Sequence, residues 1–340
     1  MNNLESYPPI LRQLSHHQKQ LPPNQKPFEE NNLIQDDLDP IPVIDLECLD
    51  NEIKKLEEAC KDWGLFRLVN HGVPLTLLKQ LQELPKQLFS MPFESKQASC
   101  SATPITYFWG TPALTPSGTT LTTRDPQNIN WVEGFNVPLS QLSNFNSQNP
   151  MLESIRHLLM EYERHVSRMA IRIYEGIVKK LEWNLKGTKS YLSTKTGTVR
   201  VYRYPQSHDI NIGWGMEAHT DSSVLSILNL DDQVTGLEVL KDDHWLTVKP
   251  ISNTFIVNLG DIMQAMSDDR YKSVTHRVKV NKHGERISVC YFVYPEEDVV
   301  IESSKYKSFT YNEFRAQVQQ DIKTIGYKVG LARFRQNEDF

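Results

Sequence analysis

The chain has 340 residues, 39% hydrophobic and 23% charged, the balance of an ordinary globular protein long enough for a large core. Its 42 acidic and 37 basic side chains leave a net charge of -5, which argues against a nucleic-acid surface. The four cysteines are scattered without CxxC pairing, against a disulfide scaffold or a zinc knuckle. No stretch reaches the roughly eighteen apolar residues of a spanning helix, and the first residues lack the basic start and apolar run of a secretory signal. A cytoplasmic protein with no membrane partner is the expectation.

Residues 1–38, rich in Pro, Gln and Asn, predict an irregular arm. No Gly/Pro/Ser linker follows, so the rest reads as one compact unit: an N-terminal α/β region over 39–196, a catalytic core over 197–300, and a C-terminal helix and tail over 301–340. Within the first region, IPVIDLECL predicts a short strand, and the spacing of Ile53, Leu56, Ala59, Cys60 and Trp63 predicts an amphipathic helix over 51–62. Gly64 stands where a helix cap is expected, and LFRLVN leads as a strand into a turn at His71, read as a structural histidine because no other metal-type residue accompanies it. Residues 75–91 resume a helical pattern. The Thr-, Pro- and Asn-rich stretch 100–150 shows no sustained period and predicts a binding lid or substrate loop. Pro150 then opens a long supporting helix whose apolar stripe runs from Ile155 through Tyr162 and Ala170 to Leu181.

From about residue 197 the period changes. VRVYRYP, SVLSILNL, GLEVL, WLTVKP, TFIVNLG, KSVTHRVKV and RISVCYFVYP are short apolar or alternating segments with turn residues between them, which predicts an antiparallel double sheet or barrel. No GxGxxG or GxxxxGK[ST] string occurs, and the GWG at 213–215 reads as a turn. Residues 311–325 predict a last helix with Phe314, Val318, Ile322 and Ile325 on one stripe, stopped by Gly326.

His219-Thr220-Asp221 carries the main chemical signal. On an extended segment, positions 219 and 221 project from one face, so imidazole and carboxylate converge. One further histidine completes the two-histidine, one-carboxylate set of non-haem iron sites, with positions left open for a chelating 2-oxo acid and dioxygen. His244 and His283 lie in turn signals, whereas His276 lies inside a predicted strand and is the candidate third ligand; the alternative is a chance HxD beside a polar turn. Arg286 and Ser288 share one face of the next strand. A buried arginine needs an anion, and this planar fork suits the distal carboxylate of 2-oxoglutarate; the alternative is a surface arginine paired with Glu285 or Glu296. Tyr204 is a candidate to offer its hydroxyl to the same co-substrate, or else an aromatic core residue.

These residues resemble the plant 2-oxoglutarate/Fe(II)-dependent dioxygenases over about residues 39–334. The resemblance rests on PVIDL, ACKDWGLFRLVNHGV, HTDSSVLSIL, VNLGD, and SVTHRV followed by RISV. It implies a mainly β fold with flanking α, a double-stranded β-helix or jelly roll with a long supporting helix. It also implies Fe(II) on His219, Asp221 and His276, 2-oxoglutarate on Arg286, Ser288 and Tyr204, and O2 as co-substrate. Within that family, FWGTP, WVEGFNVPL, GLEVLKDDHWLTVKP and SDDRYKSVTHRV are most similar to the gibberellin 2-beta-dioxygenases, especially the group acting on C20 gibberellins. YRYPQSH departs from the NYYPPCP-like segment of many relatives, and GWGMEA from their GLxPH. The implied substrate is a small lipophilic carboxylic acid, with Trp109, Trp131, Phe135 and Met263 as candidate pocket walls and no anchor for its carboxylate identified. Oxidation of a gibberellin or related diterpenoid at another carbon, or of a different plant acid or a flavonoid, is the competing reading. A hormone-binding protein without turnover is the non-enzyme alternative, and it would be marked by loss of a metal ligand.

Overall fold

The computed structural model describes residues 4–9, 11–12, 39–100, 103–110, 129–145, 149–181, 191–207, 214–230 and 233–336. Most of the predicted arm therefore lies outside the described residues. The alternating segments become strands β1 (Val43–Asp45), β2 (Leu65–Val69), β3 (Thr106–Trp109), β4 (Glu133–Pro138), β5 (Ser193–Tyr204), β6 (Trp214–His219), β7 (Leu225–Leu230), β8 (Leu237–Lys241), β9 (His244–Thr247), β10 (Phe255–Leu259), β11 (His276–Lys279) and β12 (Arg286–Tyr294). An eight-stranded sheet has the order β1-β2-β10-β7-β12-β5-β4-β3, and a four-stranded sheet has the order β6-β11-β8-β9. The two face each other as a double-stranded β-helix. At Gly215 of β6 an added Cβ would meet the Tyr204 ring of β5 at 2.6 Å, so glycine permits this close approach of the sheets.

Strand β12 is buried along its whole length, as expected for a central strand covered on both faces. Its even-numbered residues face the inside of the β-helix. The helices before it in the chain are α1 (Ile53–Asp62), α2 (Leu75–Phe89), α3 (Phe93–Cys100) and α4 (Pro150–Lys180); its odd-numbered residues face the side on which α2 packs, and there Tyr291 meets Ser167 of α4. The long helix starts where its sequence says it should. Asn149 caps it by accepting from the Met151 N–H at 3.0 Å, and Pro150 occupies the first turn. Its stripe from Ile155 to Ile177 is buried, and at 31 residues it spans about 46 Å of sheet. Helix α6 (Tyr311–Ile325) has a Thr310–Glu313 capping box and ends at Gly326 with φ +84°. Phe314 and Ile322 of its stripe are buried, but Ile325 is exposed, and the polar Asp321 is buried on Arg333 instead.

Two expectations are corrected. The stretch 100–150 is not a structureless loop: β3 and β4 form a hairpin that extends the large sheet, although residues 111–128 lie outside the description. Only Phe135 and Val137 carry the apolar face of β4, between the poor strand formers Gly134 and Pro138 and with Glu133 on the same parity, too little for a periodicity argument. Likewise Trp214 and Gly215 belong to strand β6 rather than a turn, because pairing with β11 supplies hydrogen bonds that a local reading does not see. Arg203, one of the departures at YRYPQSH, lies on the helix side, bound to Glu133 at 2.9 Å and Glu285 at 2.8 Å. Glu133 also holds the fully buried Lys96 at 2.5 Å.

Candidate active site

Antiparallel pairing of β6 and β11 sets His276 directly opposite His219, so both imidazoles leave the same face of the small sheet, ring centres 4.3 Å apart. Asp221 follows in the bend after β6. Its Oδ1 lies 3.9 Å from His219 Nε2 and 3.7 Å from His276 Nε2, and one donor atom from each of the three falls within 4.8 Å of the others. Among the described residues no other such group of metal-type side chains forms. Thr220, between the ligands, points the other way, toward Lys328.

Each donor is oriented by a second contact. His219 Nδ1 donates to the Glu217 carbonyl at 2.8 Å and His276 Nδ1 to the Val274 carbonyl at 3.1 Å, which leaves both Nε2 lone pairs facing the common centre. Ser226 donates to Asp221 Oδ2 at 2.8 Å. Burial, followed by the neighbouring His276, pushes the His219 pKa well down, so that imidazole is neutral at pH 7. Burial opposes ionisation of Asp221, but His276, His219 and the Ser226 hydroxyl together hold its pKa below the ordinary value. Two imidazoles and one carboxylate, with the rest of the coordination sphere open, are the donor set that suits Fe(II).

The NLGD segment supports the ligand loop from beneath, a role the sequence reading missed. Gly260 runs so close that an added Cβ would lie 2.0 Å from the Ser223 carbonyl oxygen, and the Asp261 N–H donates to the Asp221 carbonyl at 2.8 Å. The Asp261 carboxylate, on helix α5 (Asp261–Met266), pairs with Lys328 at 2.6 Å, and that ammonium also donates to the Thr220 carbonyl at 2.8 Å. The C-terminal segment is thereby tied to the backbone between two of the donors. Conventional motif reading has no signal for Lys328, since it comes from more than a hundred residues away in the chain.

Arg286, Ser288 and Tyr204 share the inner face of the large sheet. Arg286 stands opposite Tyr204, and Ser288 opposite Tyr202. Arg286 is 3% exposed, its guanidinium 5.2 Å from the Tyr204 ring centre. Burial pushes the Tyr204 phenol up to about 12, against the lowering influence of Arg286, so it stays a hydroxyl and hydrogen-bonds to Ser288 and Arg286. Glu285, the alternative partner considered for Arg286, is bound to Arg203 instead. A planar cation flanked by two hydroxyls fits one end of a dicarboxylate.

The four candidate pocket walls fare differently. Phe135 stands opposite Val201 and packs on Phe89 and Tyr107, on the helix side of the sheet, away from Tyr204 and Arg286. Trp109, opposite Glu133, shares that outer register. Trp131 is buried in a small separate cluster with Tyr7 and Leu11, and Met263 is buried in the main core. Strand parity, which composition alone does not reveal, aims Phe108 inward instead, its ring 5.8 Å from Tyr202. His71 accepts from the Val73 N–H and reaches the Asn253 carbonyl, a structural role.

Known proteins are similar to this chain over most of its length. Residues 196–295 match the family described as the 2OG-Fe(II) oxygenase superfamily, and residues 41–153 the non-haem dioxygenase in morphine synthesis N-terminal family. Gibberellin 2-beta-dioxygenase 8 of Arabidopsis thaliana is 34% identical over 306 residues, 86% of either chain. Gibberellin 2-beta-dioxygenase 6 of Oryza sativa subsp. japonica is 33% identical over 86% of this chain and 84% of its own. The crystal structure of JOX2 in complex with 2OG, Fe and JA is 28% identical and superposes with a TM-score of 0.72, covering 92% of this chain and 95% of that one.

Proposed function

Because this chain belongs to the 2OG-Fe(II) oxygenase superfamily and is a dioxygenase dependent on Fe(II) and 2-oxoglutarate, we propose that its reaction is the 2β-hydroxylation of a gibberellin, in particular of C20 gibberellin precursors, which inactivates the hormone pathway. In this reading His219, Asp221 and His276 hold the iron, their Nε2 and Oδ1 atoms oriented by Glu217, Val274 and Ser226. Arg286 and the hydroxyls of Ser288 and Tyr204 seat the distal carboxylate of 2-oxoglutarate, which turns its 2-oxo acid end toward the metal ligands. Bound iron supplies the oxidising chemistry: one atom of O2 enters succinate as CO2 leaves 2-oxoglutarate, and the other replaces a substrate C–H by C–OH.

The observation that carries the gibberellin assignment is that four curated gibberellin 2-beta-dioxygenases, 31–34% identical, align with 86–87% of this chain. The likeness to JOX2, crystallised with JA, favours a second reading in which a different plant acid is oxidised. Aerobic incubation with Fe(II), 2-oxoglutarate and paired C19 and C20 gibberellins, followed by mass spectrometry and NMR placement of the new oxygen, tests the proposal. A hydroxyl at the 2β position with stoichiometric succinate is the expected product, and oxidation of neither gibberellin class refutes it.

A further inference from the structure

The inner face of the large sheet carries a second arginine. Arg200 precedes Tyr204 by four residues on β5, so both side chains leave the same face, about 13 Å apart along the strand. It stands opposite Cys290 on β12 and Asn136 on β4, two rungs from the Tyr204–Arg286 pair. Its Nε donates to Asn136 Oδ1 at 3.0 Å, its guanidinium lies 5.1 Å from the Phe292 ring centre, and it hydrogen-bonds with the Tyr202 hydroxyl. The other titratable neighbours acting on it are the phenols of Tyr294 and Tyr311.

What Arg200 lacks is an anion. Arg67 has Asp39, Arg203 has Glu133 and Glu285, and Arg277 has Glu238, but Arg200 makes no ion pair with a carboxylate among the described residues. Arg200 is only part-buried, so it keeps some hydration, but among aromatic rings it lacks a counter-charge that an incoming carboxylate would supply. The position is right for a substrate. Cys290, across from Arg200, contacts Ser226, and Ser226 donates to Asp221, so one layer of side chains separates this guanidinium from a candidate metal ligand. Around it Tyr202, Phe292, Tyr294 and Phe108 provide apolar surface for a rigid ring system.

We propose that Arg200 is the seat of the substrate's carboxylate: it selects lipophilic acids over their esters and fixes the ring system with one C–H bond toward the metal ligands. This rests on reading the site as an iron oxygenase acting on a lipophilic acid. Arg286 and Arg200 thus divide the labour, one for the co-substrate diacid and one for the substrate.

The test uses the full chain with Fe(II) and 2-oxoglutarate, under anaerobic conditions so that nothing turns over. A C20 gibberellin free acid and its fully methylated ester are titrated calorimetrically into the wild type, Arg200→Gln and Arg200→Lys. The wild type is expected to bind the acid at least tenfold more tightly than the ester. Arg200→Gln loses about tenfold to a hundredfold in acid affinity, the range for one charge-assisted hydrogen-bonded contact, and no longer discriminates. Arg200→Lys keeps part of the preference, and all three proteins bind 2-oxoglutarate equally, which also establishes that they are folded. An unchanged acid-to-ester ratio in Arg200→Gln overturns the proposal, as does a loss of 2-oxoglutarate affinity without a loss of acid affinity. If no gibberellin binds the wild type, the substrate assignment fails on its own account. The same proteins are then titrated with jasmonic and indole-3-acetic acids and their methyl esters. Ester rejection that disappears in Arg200→Gln upholds the seat, whereas acids bound indifferently to the substitution, or not at all, overturn it.

Discussion

Replacing Lys328 by Met keeps the length of the side chain and removes its charge, and the structure sets the size of the effect. The ammonium lies 2.6 Å from Asp261 Oδ2, 2.8 Å from the Thr220 carbonyl and 3.2 Å from its hydroxyl. The Asp261 side chain is 4% exposed and that of Lys328 15%, so the substitution strands a carboxylate in the interior. Breaking a buried pair from one side costs about 3–5 kcal/mol, and the partial exposure of Lys328 points to about 3. Removing both charges in Lys328→Met/Asp261→Asn leaves no stranded ion, so the double variant recovers roughly 2 kcal/mol relative to the sum of the single ones. Because Thr220 lies between His219 and Asp221, and the Asp261 N–H holds the Asp221 carbonyl, the ligand loop loosens as well. Fe(II) affinity then drops about tenfold to a hundredfold, as for other groups that orient metal ligands. Equilibrium urea unfolding of the metal-free protein and anaerobic Fe(II) titration measure the two effects on Lys328→Met, Asp261→Asn and the double variant. Wild-type stability in Lys328→Met, or strict additivity in the double variant, refutes the reasoning.

Other expectations follow from the same geometry. Gly260→Ala forces the ligand loop away from a 2.0 Å approach and is expected to cost about 1–3 kcal/mol in unfolding free energy while weakening Fe(II) binding; a variant with unaltered iron affinity counts against the support role. Arg286→Gln raises the KM for 2-oxoglutarate by about tenfold to a hundredfold and leaves Fe(II) affinity in place, measured by succinate release and metal titration. The depressed His219 pKa makes the folded, metal-free protein refuse a proton that the unfolded chain accepts. Its contribution is therefore fully present above the unfolded histidine value of about 6.5 and is lost as pH falls below it. Urea midpoints at pH 7.5 and 5.5, with the His219 imidazole followed by NMR, check this; a ring that is protonated at pH 6 contradicts the burial argument.

Much of the scaffold was legible because its signals are local. Caps and breakers at Asn149, Pro150, Thr310 and Gly326 mark helix ends through backbone hydrogen bonds made within a turn, and the alternation along β5 and the short apolar runs of β7, β10 and β12 reflect burial on a sheet. The candidate donors were legible too, since HxD is itself a two-residue period. The interrupted strands β4 and β6 were not, because their stability comes from partners distant in sequence. Two of the candidate walls lie on the outer face for a related reason: a shift of one residue reverses the face, so Phe108 points inward while Trp109 and Phe135 point outward.

The amino-acid order by itself therefore determined most of the element types and named the candidate metal donors and the candidate seat for a dicarboxylate, because capping signals and strand parity are carried by neighbours a few positions apart. Only the tertiary structure decided that Arg200 lies on the inner face of the large sheet with no carboxylate partner among the described residues, and that Lys328 and Gly260 brace the loop bearing Asp221. Those relations arise from which strands lie side by side and which backbone passes beneath which loop. Cross-strand register and close packing exist only once the chain has closed on itself.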